Sequence, residues 1–279
     1  MALGRFYSEV YDLRPWYHDF ARLGLQTRFA ARREDQLKLL LVPLRRRFDR
    51  AYVEKGERFS LRQFIRPSPP PHSENQLRKE AHIVAFIQRC LQDIGTHGAS
   101  SPVVRCADLF CADGYYTCVL ARMSGAVTVT GVDLDGAEIR RAQTAARVLG
   151  IQPVQFAQAD VWEFVRAAQE QAQAFDLVLC TGGLYHLTDP RGFLRLLRGM
   201  GGRFLVVQSV VTLESADPAY FVSPAPGWRH GSRFTHAGLG RWLEETGWRI
   251  LEAGADELSG NARLCDRGSS YYRCVAAQE

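Results

Sequence analysis

The stretch VVRCADLFCADGYYTCVLARM, residues 103–123, decides the fold. It opens with a short apolar run, turns through Gly114, and continues as YYTCVLARM with helical periodicity. A strand that turns on a glycine into a helix is the opening of a βαβ unit. The same rhythm extends outward. VTVTGVD (127–133), VQFAQAD (154–160), FDLVLCT (175–181) and RFLVVQSVV (203–211) are further apolar runs. Between them AEIRRAQTAARVLG (137–150), EFVRAAQEQ (163–171) and PRGFLRLLRGM (190–200) read as helices. This alternation predicts a doubly wound α/β fold on a mostly parallel sheet covered on both faces. Towards the end, THAGLGRWLEETG (235–247) reads as one more helix, and WRILEAG (248–254) and SSYYRCVAA (269–277) as an antiparallel strand couple, which brings the sheet to seven strands.

Upstream, Ser73 followed by Gln76 resembles a capping box and predicts a helix to about Ile94, with Leu77, Ala81, Val84, Ile87 and Leu91 as its apolar stripe. The run Pro67-Ser68-Pro69-Pro70-Pro71 reads as a stiff connector. Before it, residues 28–50 look helical, with Pro43 ending or kinking the helix, and residues 51–61 alternate about a Lys55-Gly56 turn as a hairpin. Such elements are too few for a core of their own. Residues 1–72 are therefore expected to be an N-terminal helical and hairpin appendage, a cap facing the substrate, on a main domain of residues 73–279.

Composition narrows the class. The chain has 279 residues, 46% hydrophobic and 23% charged, enough for a sizeable core. No stretch approaches the roughly 18–20 uninterrupted apolar residues of a membrane span, and residues 1–20 lack the apolar core of a secretory signal. Seven scattered cysteines, none spaced C-x-x-C, argue against a disulfide framework or zinc cluster, so a cytoplasmic setting is expected. Residues 1–80 carry 17 Arg or Lys against 10 Asp or Glu, and residues 81–279 carry 18 against 20, so the whole net +5 is N-terminal. Arg32-Arg33 and Arg45-Arg46-Arg47 could grip nucleic-acid phosphates, but no RNA-binding aromatic platform accompanies them, and a solvated basic helix is the preferred reading.

In open α/β sheets ligands bind beyond the carboxyl ends of the strands. The first strand ends in Asp108-Leu109-Phe110-Cys111-Ala112-Asp113-Gly114, where a lone glycine without G-x-G-x-x-G fits a ligand that has no pyrophosphate. The second ends in Gly131-Val132-Asp133-Leu134-Asp135, about 20 residues on, where Asp133 can accept from both hydroxyls of a ribose and Asp135 is placed to cap the next helix. The third ends in Asp160-Val161-Trp162: Asp160 could accept from an exocyclic amine or simply cap a helix, and Trp162 could cover a purine face. The fourth ends in Cys180-Thr181-Gly182-Gly183-Leu184-Tyr185-His186. It brings no carboxylate, so no metal is expected.

In this order the strand ends resemble the class I S-adenosylmethionine-dependent methyltransferases over about residues 75–276. That resemblance implies the cofactor S-adenosyl-L-methionine, held around Asp108, Phe110, Cys111, Gly114, Asp133, Asp160, Trp162 and Cys180. Phe110 departs from the family, which usually has glycine there. Leu184-Tyr185-His186-Leu187-Thr188-Asp189-Pro190, the Tyr220-Phe221 loop, residues 238–247 and Pro15-Trp16-Tyr17-His18 are similar to the branch that contains the tRNA wobble-uridine carboxymethyltransferase and related small-molecule methyltransferases. In that branch a lysine, a tyrosine and an arginine hold a carboxylated cofactor. Lys79 and Tyr185 match two of them, and Arg267 and Arg273 lie near in sequence to the third without matching it, so ordinary S-adenosylmethionine is favoured.

The expected activity is methyl transfer to an oxygen or nitrogen of a small molecule, with tRNA modification and non-catalytic cofactor binding as alternatives. His186 and Tyr185 are the expected catalytic pair, with His186 as base and His18, His230 and His236 behind it. The connector 212–236, rich in Pro, Gly and aromatics, is expected to be a lid that packs, not a disordered spacer. Its Tyr220, Trp228 and Arg229, with Trp16, Tyr17, His18 and Lys79, are the expected substrate contacts.

Overall fold

The computed structural model describes residues 7–29, 61, 65, 74–96, 103–124, 127–259 and 263–277. The chain divides into two compact units, Met1–His72 and Ser73–Glu279. In the first, α1 (Ser8–Asp12) precedes a single 3-10 turn, Phe20–Leu23, whose Asp19 side chain accepts the Ala21 N–H at 3.0 Å. Trp16 is buried and its indole N–H donates to the Val10 carbonyl at 2.8 Å. Of the helix expected over residues 28–50 and the hairpin over 51–61, residues 30–60 lie outside the described residues, as do the Arg32-Arg33 and Arg45-Arg46-Arg47 clusters, the Ser73 cap and the proline run. Arg28 and Phe29 are not helical, and Leu61 is helical, not part of a strand.

The second unit is built on a seven-stranded sheet. Its strands are β1 (Val104–Leu109), β2 (Val127–Asp133), β3 (Val154–Gln158), β4 (Leu177–Thr181), β5 (Phe204–Val211), β8 (Trp248–Glu257) and β9 (Gly268–Ala276). Their order is β3-β2-β1-β4-β5-β9-β8. The first five run parallel; β9 is antiparallel to both β5 and β8. Two short strands in the connector, β6 (Phe221–Val222) and β7 (Arg233–Phe234), form a separate antiparallel pair.

Burial explains the order. Every residue of β4 is buried, as a strand covered on both faces must be, whereas β8 alternates and places Arg249 and Glu257 at an exposed edge. The helices are α2 (Glu74–Thr96), α3 (Tyr115–Met123), α4 (Gly136–Leu149), α5 (Val161–Glu170), α6 (Pro190–Gly199) and α7 (His236–Glu245). Val165 of α5, Phe193, Leu194 and Leu197 of α6, and Leu239 and Leu243 of α7 share one core with Ala107, Leu109, Cys180, Leu205 and Val207 of the sheet. Each such side chain stabilises the fold by about 1.5–3 kcal/mol relative to exposure.

The α2 stripe is rotated from its expected position. Ile83, Phe86, Ile87, Cys90 and Ile94 are buried, while Leu77 and Ala81 are exposed. Phe86 and Cys90 complete an i, i+3, i+4 face as apolar as the one read from the sequence, and periodicity alone does not choose between two overlapping stripes. Neighbouring Glu80 is also buried, held by the Tyr115 hydroxyl, which donates to its Oε1 at 2.7 Å.

Candidate active site

Leaving the sheet at its carboxyl edge, the chain passes from β1 back to β2 on one side, while β4 leads to β5 on the other. The β1/β4 boundary is thus the switch point, the place where open α/β sheets bind their ligands. Leu109 stands beside Cys180 in that pairing, so the turns after the two strands face each other.

The turn after β1 is held from both sides. Asp108 is fully buried, and its Oδ2 accepts from the Thr117 hydroxyl of α3 at 2.6 Å. The Cys111 N–H donates to the Val132 carbonyl at 3.0 Å, and the Ala112 N–H to Asp133 Oδ2 at 2.9 Å. Phe110 and Ala112 have φ of 62° and 47°, in the left-handed region that side chains rarely adopt. Gly114 also has positive φ, 77°, and a Cβ there would lie 2.6 Å from that of Ala142. Glycine at 114 therefore lets α3 start and α4 pack closely.

Asp133 is the hub of the second strand end. Oδ1 accepts the Asp135 N–H at 2.9 Å, opposite the bond from Ala112 to Oδ2. An ionised carboxylate keeps further lone pairs when each oxygen accepts one bond. Burial raises the Asp133 pKa, and the two backbone N–H groups work against that rise. Asp135 caps α4, accepting the Ala137 N–H at 2.7 Å. Between them Leu134 is 67% exposed, an apolar side chain standing in solvent beside a polar anchor. Only its exposure marks it, and exposure is not written in sequence.

Asp160 caps α5 through Oδ1, which accepts from the Trp162 and Glu163 N–H groups at 2.8 and 3.3 Å. The Trp162 ring meets Phe193 edge to face at 5.0 Å, and Phe110 meets the same Phe193 at 5.9 Å. Cys180 and Cys111 are buried, and burial raises both thiols well above their ordinary range, so neither is a nucleophile. Lys79 is half-buried on α2.

Beyond β4, a 3-10 turn, Leu184–His186, carries the Tyr-His pair, with ring centroids 4.0 Å apart. Tyr185 is half-buried and His186 exposed. Arg233 is 3% exposed and lies 5.5 Å from the Tyr185 ring centroid. It donates to Asp266 Oδ1 at 2.7 Å and to the Ser232 carbonyl at 2.7 Å. Burial of the His186 ring, although the residue as a whole is exposed, and then the Arg233 charge lower its pKa, which keeps the imidazole neutral at pH 7 and makes it a weaker base than a free imidazole. Arg233 and Asp266, 33 residues apart, carry no signal in the sequence that distinguishes them from surface charges.

The connector packs, and it also contains a strand pair that the sequence reading did not give. The β6–β7 pair closes a hairpin, the Ser232 N–H donates to the Tyr185 carbonyl at 2.9 Å, and Phe221 packs edge to face on Trp242 at 5.5 Å. A hairpin within the connector and the Ser232 bond to the distant Tyr185 carbonyl order it. Tyr220 donates to Glu214 at 3.1 Å, while Trp228 and Arg229 stand exposed at the tip, with Trp228 6.3 Å from His186. His230 is exposed nearby, whereas His236 is engaged by Ser270 at 2.9 Å and by Tyr272. In the first unit Tyr17 is exposed, and His18 is buried with its carbonyl accepting from Thr27.

The sheet order makes this a doubly wound domain with a carboxylate at the end of β2, next to the switch point. Residues 101–227 match the family model described as a methyltransferase domain. A search of curated proteins returns no match to the chain. Among solved structures, the N-terminal domain of EvdMO1 with SAH bound is similar at 17% identity over 97% of this chain and 95% of that one, with a TM-score of 0.54. Magnesium protoporphyrin IX methyltransferase from Synechocystis PCC 6803 with bound SAM gives 16% over 85% and 96%, at 0.52. The cyclase SpnF gives 18% over 68% and 82%, at 0.50. Likeness at these identities establishes the fold, and the family model adds the domain. Residues 101–227 thus carry a methyltransferase domain, on a Rossmann-like methyltransferase fold.

Proposed function

We propose that this enzyme transfers a methyl group from S-adenosylmethionine to an oxygen or nitrogen of a small molecule, without a metal. The observation that carries the reading is the Asp133 carboxylate, which accepts two backbone N–H groups at 2.9 Å beside the switch point and keeps lone pairs for a ribose diol. Leu134 and Trp162 offer apolar surface for a purine, and the second oxygen of Asp160 remains for its amine. When bound, the cofactor supplies a methyl group on a positively charged sulfur that is already a good leaving group. What remains for the protein is alignment, exclusion of water and acceptance of a proton. Neutral His186 is the group that takes that proton, and Tyr185 and the hairpin tip at Trp228 and Arg229 form the acceptor wall.

The state of the arginines supports ordinary S-adenosylmethionine over a carboxylated form. Arg273 pairs with Asp93 at 2.6 Å and Glu252 at 2.7 Å, and Arg267 pairs with Glu257, so both guanidiniums are engaged. The apolar exposure of Phe221, Trp228, Leu213 and Leu264 around the hairpin supports a small, partly apolar acceptor over a polyanion. Incubation of the full chain with methyl-tritiated S-adenosylmethionine and either small-molecule extract or total tRNA tests this. Label is expected in the small-molecule fraction, and label in tRNA alone would overturn the reading.

A further inference from the structure

Phe110, at the turn after β1, lies against the turn after β4 across the switch point. Phe110 is the first residue past β1, and Gly183 is the second past β4. A Cβ built on Gly183 would lie 2.0 Å from the Phe110 ring, so the ring rests directly on the glycine's backbone, bridging the carboxyl ends of the two strands that flank the switch point. It also meets Phe193 edge to face at 5.9 Å and packs against the core. The backbone beneath it is fixed: Asp108 is tied to Thr117, Cys111 to Val132 and Ala112 to Asp133. A bulky residue at a φ of 62° persists only where its surroundings over-determine it, and such positions concentrate at ligand clamps and switches. With the backbone pinned and the ring half-buried, rotation of the side chain is the available motion.

We propose that Phe110 is an aromatic plug seated on Gly183, and that it limits the affinity and the entry rate of the cofactor, which is admitted when the ring leaves Gly183. The proposal rests on the reading that this switch point takes S-adenosylmethionine. Gly183 is then the matched half of the pair, since any side chain there would evict the ring.

The test uses the full chain, Phe110→Gly and Phe110→Ala, each titrated with S-adenosylmethionine by calorimetry and followed by stopped-flow tryptophan fluorescence. Cooperative thermal unfolding of each variant serves as the folding control. Glycine adopts the left-handed backbone without strain, and alanine keeps the strain but lacks the ring. Both are expected to bind about tenfold tighter than the natural chain, about 1.4 kcal/mol, and to associate faster. Equal or weaker binding by both variants would make the ring a spectator or a wall of the site and overturn the plug. A gain confined to glycine would assign the effect to backbone freedom and overturn it as well. Binding by the variants with none by the natural chain would support it in its strongest form. If no chain binds, the cofactor reading fails and takes the proposal with it.

Discussion

Replacement of Asp133 by asparagine tests the cofactor end of the site with a change of one atom. The carboxylate accepts the Ala112 N–H on Oδ2 and the Asp135 N–H on Oδ1, each at 2.9 Å. Asparagine offers one acceptor and one NH2, so one of these donors must face another donor. A hydrogen bond to a charged group contributes about 1.5–3 kcal/mol, so the variant should lose about 2 kcal/mol of stability. For a domain of this size that lowers Tm by about 4–8 °C. The ribose diol would lose charged acceptors too. Taking about 3 kcal/mol for its two bonds, affinity for S-adenosylmethionine should fall by about 10²-fold. Calorimetric titration reads the second number and a thermal melt the first. Affinity within threefold of the natural chain, together with an unchanged Tm, would refute both roles; a lowered Tm with unchanged affinity would reduce Asp133 to a clamp. The pH dependence has a definite sign. Burial raises the Asp133 pKa, so affinity should be full above that raised value and fall as pH drops through it, earlier than for an ordinary carboxylate. The folded chain also holds this proton more tightly than the unfolded one, so the same group adds stability as pH falls, opposite in sign to its effect on binding. Asparagine at 133 should abolish both steps.

Two further substitutions probe the supports. Thr117→Val removes the hydroxyl that donates to the buried Asp108, and should cost about 2–3 kcal/mol, read as a lower urea midpoint at unchanged m-value. Arg233→Met removes the buried partner of the partly exposed Asp266 and should cost about 1.5–3 kcal/mol. It also removes a charge that holds the His186 pKa down, so an NMR titration of His186 should move upwards; no movement would remove Arg233 from the electrostatics of the Tyr-His pair.

Much of the fold is legible in the sequence because strands and helices are local. The run VTVTGVD is β2 residue for residue, and YYTCVLARM is α3, since apolar periodicity and a glycine turn act within a few positions. The carboxylate at the end of β2 and the cap at Asp135 follow from the same local logic. The α2 face does not, because two overlapping apolar stripes compete and the sheet chooses between them. Nor does the strand pair in the connector at 212–236, set by β6 pairing with β7 and by Ser232 reaching the Tyr185 carbonyl.

Phe110 draws the line between the two kinds of information. Its departure from the family's glycine is visible in one letter, and so is the crowding that it implies for the cofactor turn. That the crowding falls on Gly183 is not visible, because the two residues lie on different strands brought together by the β1–β4 pairing. The same holds for Arg233 and Asp266, and for Glu80 and Tyr115. Local backbone preferences and side-chain periodicity are properties of short segments, so residue order suffices to read them. The packing of a ring against a glycine, or of a guanidinium against a carboxylate, depends on strand order and register, which long-range burial sets.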